Sequence, residues 1–176
     1  MTGLPIAAAV SAAAVSIACT PALDWREVRP EGSHLQLMFP CKPASHTRRV
    51  SLADTTVEMS MFACTADEAT YALVFADVQD PLRVTPALDE LSRSLAANVQ
   101  AAGRAASSPL VVAGMTPNDS AASWVVAGQL PDGRAVQERA ALFAYGTRIY
   151  QATVVGSRSI GAEASAAFFS GLRVSP

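Results

Sequence analysis

The alternation of apolar and polar positions predicts β-strands along most of the chain after residue 24. Strand-like segments lie near residues 25–29, 35–39, 46–52, 56–64, 70–78, 124–130, 134–145, 148–155 and 172–174. Turn-forming residues separate them, as in Pro131-Asp132-Gly133, where glycine can adopt the positive φ that a hairpin turn needs. Much of the chain is therefore predicted to fold as consecutive antiparallel hairpins.

Two segments have helical rather than alternating spacing. The first, about 86–102, carries one apolar stripe. The stripe consists of Leu88, Leu91, Leu95 and Val99. Thr85 is a candidate N-cap, Pro86 suits the first helical position, and Gly103 is a plausible stop. With a second helix at about 161–170, the pattern predicts an α+β fold, an antiparallel sheet of about six to eight strands flanked by two helices.

The N-terminal segment differs from the rest of the chain. Residues 4–18 are uncharged and mostly alanine, and the run is shorter than the about 20 apolar residues of a membrane-spanning helix. Its final residues with the next one, Ser16-Ile17-Ala18-Cys19, resemble a bacterial lipobox. We expect a signal peptide over 1–18, lipid attachment at Cys19, a tether over 19–24 and one globular domain over 25–176.

Two other interpretations of this segment stay open. The small residues Ser16 and Ala18 also satisfy the rule for ordinary secretory cleavage, which would release a soluble periplasmic or secreted protein. The run could instead be a buried alanine-rich helix of a cytosolic protein, although it lacks helix caps. The lipoprotein interpretation predicts a periplasmic, membrane-anchored protein of the cell envelope.

Export would place Cys41 and Cys64 in an oxidising compartment, where an even pair of cysteines favours a disulfide. The alternative is two free buried thiols. A redox role is disfavoured because no Cys-x-x-Cys is present. His34 and His46 could complete a zinc ligand set with the two cysteines, but the spacings match no recurrent zinc pattern. We therefore expect no metal site.

Charge and motifs exclude several function classes. The chain has 13 Lys and Arg against 15 Asp and Glu, and Arg48-Arg49 is the only adjacent basic pair. Such scattered positive charge argues against nucleic-acid binding. The sequence has neither Gly-x-Ser-x-Gly nor a P-loop, so we expect no catalytic residues and no cofactor. Glu58, Asp77 and Glu138 lie within predicted strands and could form a carboxylate pair, but alternation predicts that they face solvent.

The segment before the second predicted helix could bind an anion. Backbone N–H groups are free at a helix start, and Arg158, Ser159 and Gly161 are the residues placed to use them. An ordinary capped loop is the alternative, because Ser and Gly are also common at helix starts.

Three segments together resemble a known family. They are Leu35-Gln-Leu-Met-Phe-Pro-Cys-Lys-Pro43, Gly146-Thr-Arg-Ile-Tyr-Gln-Ala-Thr-Val-Val-Gly156 and Phe168-Phe-Ser-Gly-Leu-Arg-Val174. Their order is similar to the PsbP-like fold, in particular to bacterial envelope lipoproteins of the DcrB type. The resemblance covers nearly all of residues 25–174. It implies a sandwich of an antiparallel sheet and flanking helices, an accessory role, and no shared catalytic residues.

Taken together, these observations predict an exported envelope lipoprotein that is a non-enzymatic binding or accessory module. Its expected partners are the bacterial membrane, through the lipid, and an unidentified envelope protein or small ligand. Two alternatives remain. The chain could be an envelope hydrolase with a non-obvious active site, or a thiol- or metal-binding protein that uses Cys41 and Cys64.

Overall fold

The structure is a computed structural model that describes residues 23–101, 105–157 and 162–176. In chain order the elements are β1 (Arg26–Val28), β2 (Leu35–Phe39), β3 (Ala44–Leu52), β4 (Thr55–Ala66), β5 (Ala69–Asp77), α1 (Pro81–Asn98), β6 (Ala106–Pro109), β7 (Ala122–Gln129), β8 (Ala135–Tyr145), β9 (Arg148–Gly156), α2 (Ala162–Ser170) and β10 (Arg173–Val174).

The strands form two antiparallel sheets in the described part of the chain. The large sheet has seven strands in the order β3-β4-β5-β9-β8-β7-β6, and the small sheet has the order β1-β2-β10. Neighbouring strands along the chain pair as hairpins, while the β5–β9 pairing joins the two halves of the large sheet. The predicted α+β class, with an antiparallel sheet and two helices, is confirmed. The large sheet has seven strands, within the predicted six to eight, whereas the sequence pattern did not predict β6 or that three of the strands form a separate small sheet.

Both faces of the large sheet are covered. Helix α1 packs on one face, where an apolar core includes Val57, Leu88, Leu95, Leu142 and Ile149. The small sheet and α2 cover the other face, and that core includes Leu37, Phe39, Tyr71, Phe143 and Phe168. Among the described residues, no helix is long and apolar enough to span a membrane.

The predicted bounds of the first helix are wrong at both ends. Helix α1 begins at Pro81, because the side chain of Asp80 accepts a hydrogen bond from the Leu82 N–H and caps the helix. Thr85 is not the cap; its hydroxyl accepts a hydrogen bond from Asn118 at 2.9 Å. The earlier start adds Val84 to the buried apolar stripe of the helix.

The helix also ends earlier than expected, at Asn98 rather than near residue 102. The backbone carbonyl of Val99 accepts a hydrogen bond from the N–H of Gln129 at 2.7 Å, which fixes the helix end to β7. Gln100 has a positive φ of 45° and turns the chain away. The proposed stop, Gly103, lies outside the described residues. Helix α2 agrees with its prediction to within one residue at its start and at its end.

Candidate functional site

The structure joins Cys41 and Cys64 by a disulfide, as the sequence predicted. Cys41 follows β2 and Cys64 lies near the end of β4, and their Cα atoms are 6.0 Å apart. The bridge attaches the segment between β2 and β3 to the large sheet. Because the two sulfurs are bonded to each other, neither is free to ligate zinc.

The two histidines do not complete a metal or catalytic site here. His34 packs against Tyr145, with ring centroids 5.9 Å apart, and its Nδ1 lies 3.3 Å from the carbonyl oxygen of Ser175. His46 is exposed on β3. Within residues 23–101, 105–157 and 162–176, no cluster of three or more His, Cys, Asp or Glu could hold a metal ion.

Two predicted sites fall outside the described residues. The proposed lipid attachment residue, Cys19, precedes residue 23, where the description of the chain begins. The proposed anion site of Arg158, Ser159 and Gly161 lies in the undescribed segment before α2. Both stay predictions.

The candidate functional site is an open groove at the junction of β4, β5 and the start of β9, which we call the polar groove. Its volume is about 300 Å³. It is lined by Glu31, Gly32, Thr55, Thr56, Val57, Glu58, Ser60, Phe75, Ala76, Asp77, Val78, Gln79 and Arg148. Acidic, basic, hydroxyl and aromatic groups therefore meet at one surface, and none of these lining residues is histidine or cysteine.

Asp77 is the most highly connected side chain of the polar groove. Its Oδ1 accepts hydrogen bonds from the Thr147 hydroxyl at 2.6 Å and from the Gln79 N–H at 2.8 Å. Its Oδ2 lies 3.6 Å from the guanidinium of Arg148, which also donates to the carbonyl of Gly32 at 2.9 Å. Since both oxygens are engaged, Asp77 holds the groove together and is poorly placed to act as a free base.

An aromatic side chain forms the apolar part of the groove. Phe75 is half-buried and stacks between Phe62 and Tyr150, with centroid distances of 6.3 and 6.4 Å. The Tyr150 hydroxyl donates to the Ser33 carbonyl at 2.5 Å and ties this part of the sheet to the loop before β2. The groove thus has a rigid floor, and Glu58 stands exposed at its side.

The three carboxylates predicted to face solvent have three different environments. Glu58 is exposed and Asp77 is partly buried in the same groove, so these two do come together. Glu138 contradicts the prediction because its side chain is only 2% exposed. It lies on the α1 face of β8, where it pairs across the sheet with Val126 and Val155.

Burial of Glu138 raises the pKa of its carboxyl from 4.5 to about 7. Among the described residues its Oε2 has no hydrogen-bond partner, and neither does the buried indole Nε1 of Trp124 on the adjacent strand. The alternation itself holds at this position, because Glu138 shares its face with the buried Val136, Ala140 and Leu142, and that face packs under α1. The spacing of these apolar residues at two-residue intervals was the available signal for this burial.

Comparison with known proteins does not assign the chain to a family. No protein-family model matches it, and no curated protein is significantly similar to it. The resemblance to the PsbP-like fold therefore stays a prediction, and the disulfide and the polar groove are the features on which a functional proposal can rest.

Proposed function

We propose that this protein is an exported bacterial envelope lipoprotein, acylated on Cys19, that acts as a non-enzymatic binding or accessory module. The observation that carries the proposal is the Cys41–Cys64 disulfide. Stable disulfides form in oxidising compartments such as the periplasm and are rare in the cytosol. An uncharged apolar segment that ends at Cys19 supplies the matching export signal.

The packing supports a PsbP-like architecture. The three sequence segments that carry the resemblance belong to β2, β9 and the α2–β10 unit, and these elements contact one another. Val174 of β10 pairs with Leu35 of β2, and the rings of Phe39 and Phe168 are 5.4 Å apart. Residues of all three segments thus contribute to one apolar core, on the face of the large sheet opposite α1.

The polar groove is the proposed binding surface. Its aromatic floor offers contact area, and its exposed Glu58 offers a hydrogen-bond acceptor. The hydrogen bonds that Asp77 already accepts favour ligand binding over acid–base catalysis, because such catalysis needs a carboxyl group that is free to exchange a proton. A small polar ligand or a polar loop of an envelope protein has the chemistry to fit this surface.

The compartment is tested by the intact mass of the protein from a membrane fraction, alkylated without reductant. We expect a chain that starts at Cys19, carries acyl mass and takes up no alkylating agent. An unacylated chain that starts at residue 19 would remove the anchor and leave export standing. A chain alkylated on Cys41 and Cys64 would overturn the proposal.

The binding surface is tested by a photo-crosslinking amino acid placed at Glu58 in cells. The matched control carries the same residue at Arg93, which is exposed on α1 away from the polar groove. One discrete adduct from position 58, absent from position 93, supports the groove as the binding surface. Equal crosslinking at both positions, or none at position 58, counts against it.

A further inference from the structure

The two outer strands of the large sheet are very different. Strand β6 has only four residues and ends at Pro109, which limits further pairing at that edge. Strand β3 has nine residues, pairs with β4 without a bulge from Ala44 to Leu52, and contains no proline. Its other edge has no strand beside it in the described part of the chain. Strand β3 is therefore an open edge.

The hairpin turn determines which backbone groups point to that edge. Ala53 and Asp54 both have positive φ, at 49° and 57°, so they form a two-residue turn of type I′ between Leu52 and Thr55. In such a hairpin the residues that flank the turn form a hydrogen-bonded pair, and bonded and non-bonded pairs alternate along the strands. The N–H and C=O groups that point away from β4 therefore belong to Ser45, Thr47, Arg49 and Ser51.

The side chains of this edge are basic. Between Cys41 and Leu52 the chain contains Lys42, Arg48 and Arg49 and no acidic residue. No ion pair of the described residues involves any of these three cations. Consecutive strand residues point to opposite faces, so the two arginines place positive charge on both sides of the edge.

This charge discriminates between possible occupants. If two copies of the chain paired antiparallel through β3, the centres of the strands would bring Arg48 and Arg49 of each copy together, and like charges directly opposite are destabilising. An acidic segment would instead be attracted by Arg48 on one face and by Arg49 on the other, where Arg49 lies opposite Glu58 of β4. The disulfide at Cys41 also holds the beginning of β3 in place, so β3 loses little conformational freedom when another strand pairs with it.

We propose that β3 is a docking edge for an acidic, extended segment of a partner protein, which adds beside it as a further strand of the large sheet. Backbone hydrogen bonds to the outward groups of β3 supply the attachment, and Arg48 and Arg49 select for acidic side chains. This docking edge adjoins the polar groove, because Arg49 lies across the β3–β4 pair from Glu58 of the groove. Docking uses the outward backbone groups of β3 and needs no acylation, and peptide binding tests it separately from the crosslink at Glu58.

The test uses the full chain in a mild non-ionic detergent and a blocked nine-residue peptide of alternating Thr and Glu, measured by fluorescence anisotropy. The peptide should bind, with an affinity that falls as salt rises. A peptide of alternating Thr and Lys, and a Thr/Glu peptide N-methylated at every residue, should each bind at least about tenfold more weakly. The first comparison tests charge and the second tests backbone pairing.

Protein variants complete the test. R48E/R49E should reverse the preference between the Glu and Lys peptides, whereas R93E on α1 should leave it unchanged. Thr47→Pro removes an outward N–H and should weaken binding by about tenfold relative to Thr47→Ala, which loses the same hydroxyl and keeps the N–H. Equal binding of the three peptides would overturn the proposal, and so would a β3-mediated dimer that excludes the Glu peptide.

Discussion

Replacement of the buried Glu138 by glutamine should change how the stability of the protein depends on pH. The carboxyl is 2% exposed, faces the apolar Val126 and Val155, and has no hydrogen-bond partner for its Oε2 among the described residues. Burial disfavours the charged form, and this is why the pKa rises to about 7 in the folded protein. The amide of Glu138→Gln cannot ionise, so the part of the pH dependence of stability that comes from residue 138 should disappear.

The sign follows from proton binding. Between pH 4.5 and about 7 the folded state keeps a proton on Glu138 that the unfolded chain has released. The free energy of unfolding therefore falls as pH rises through this window, by at most about 1.4 kcal/mol per pH unit. By pH 8 the ionisation of Glu138 should have lowered the free energy of unfolding of the wild type by about 3 kcal/mol. Well below the unfolded pKa of 4.5, both states are protonated and this ionisation has no effect on stability.

Urea denaturation of the wild type and Glu138→Gln at pH 4, 6 and 8 measures this effect. The free energy of unfolding of the variant minus that of the wild type should rise by about 3 kcal/mol from pH 4 to pH 8. Glu58→Gln serves as the control, because Glu58 is exposed on the same sheet and should not produce this rise. A difference between the Glu138 variant and the wild type that stays constant with pH would refute the reasoning.

Three further predictions concern stability. Loss of the disulfide in C41A/C64A should lower the free energy of unfolding by about 3 kcal/mol, as the chain-entropy model gives for 23 residues of separation, measured by urea denaturation without reductant. Gly128→Ala should lower Tm strongly, because its new Cβ would lie 1.9 Å from the backbone oxygen of Val99, and a differential scanning fluorimetry curve that matches the wild type would contradict this contact. Asp80→Ala should cost about 1 kcal/mol through loss of the helix cap, while Asp80→Asn, which keeps an accepting oxygen, should retain most of the stability.

Local signals predicted much of the fold. Alternation located β2 to the residue, and it located the strands from β7 to β9 to within about two residues, because these signals depend on side-chain spacing along one segment. The helix start shows where local signals compete. Asp80-Pro81 and Thr85-Pro86 both have the composition of a capped start, and the structure uses the first, where Asp80 caps the helix and Val84 packs against the sheet.

The candidate site could be predicted only in part. The sequence identified Glu58 and Asp77 as possible companions, and the structure does place them in one groove. The sequence did not indicate that Thr147, in the turn before β9, and Arg148, at the start of β9, would contact Asp77, since the register of the β5–β9 pairing depends on how the two halves of the sheet meet.

By itself, the sequence determined the helices and strands that the spacing of apolar residues reveals, and the apolar run at the N-terminus. It also indicated the pairing of Cys41 with Cys64, because an even number of cysteines follows Cys19. The tertiary structure alone decided which faces are covered. Packing under α1 buried Glu138, which we predicted to face solvent, and in the described part of the chain β3 has β4 on one side and no strand on the other. The physical reason is that local spacing reports which side chains share a face, whereas burial and edge exposure depend on the distant elements that pack there.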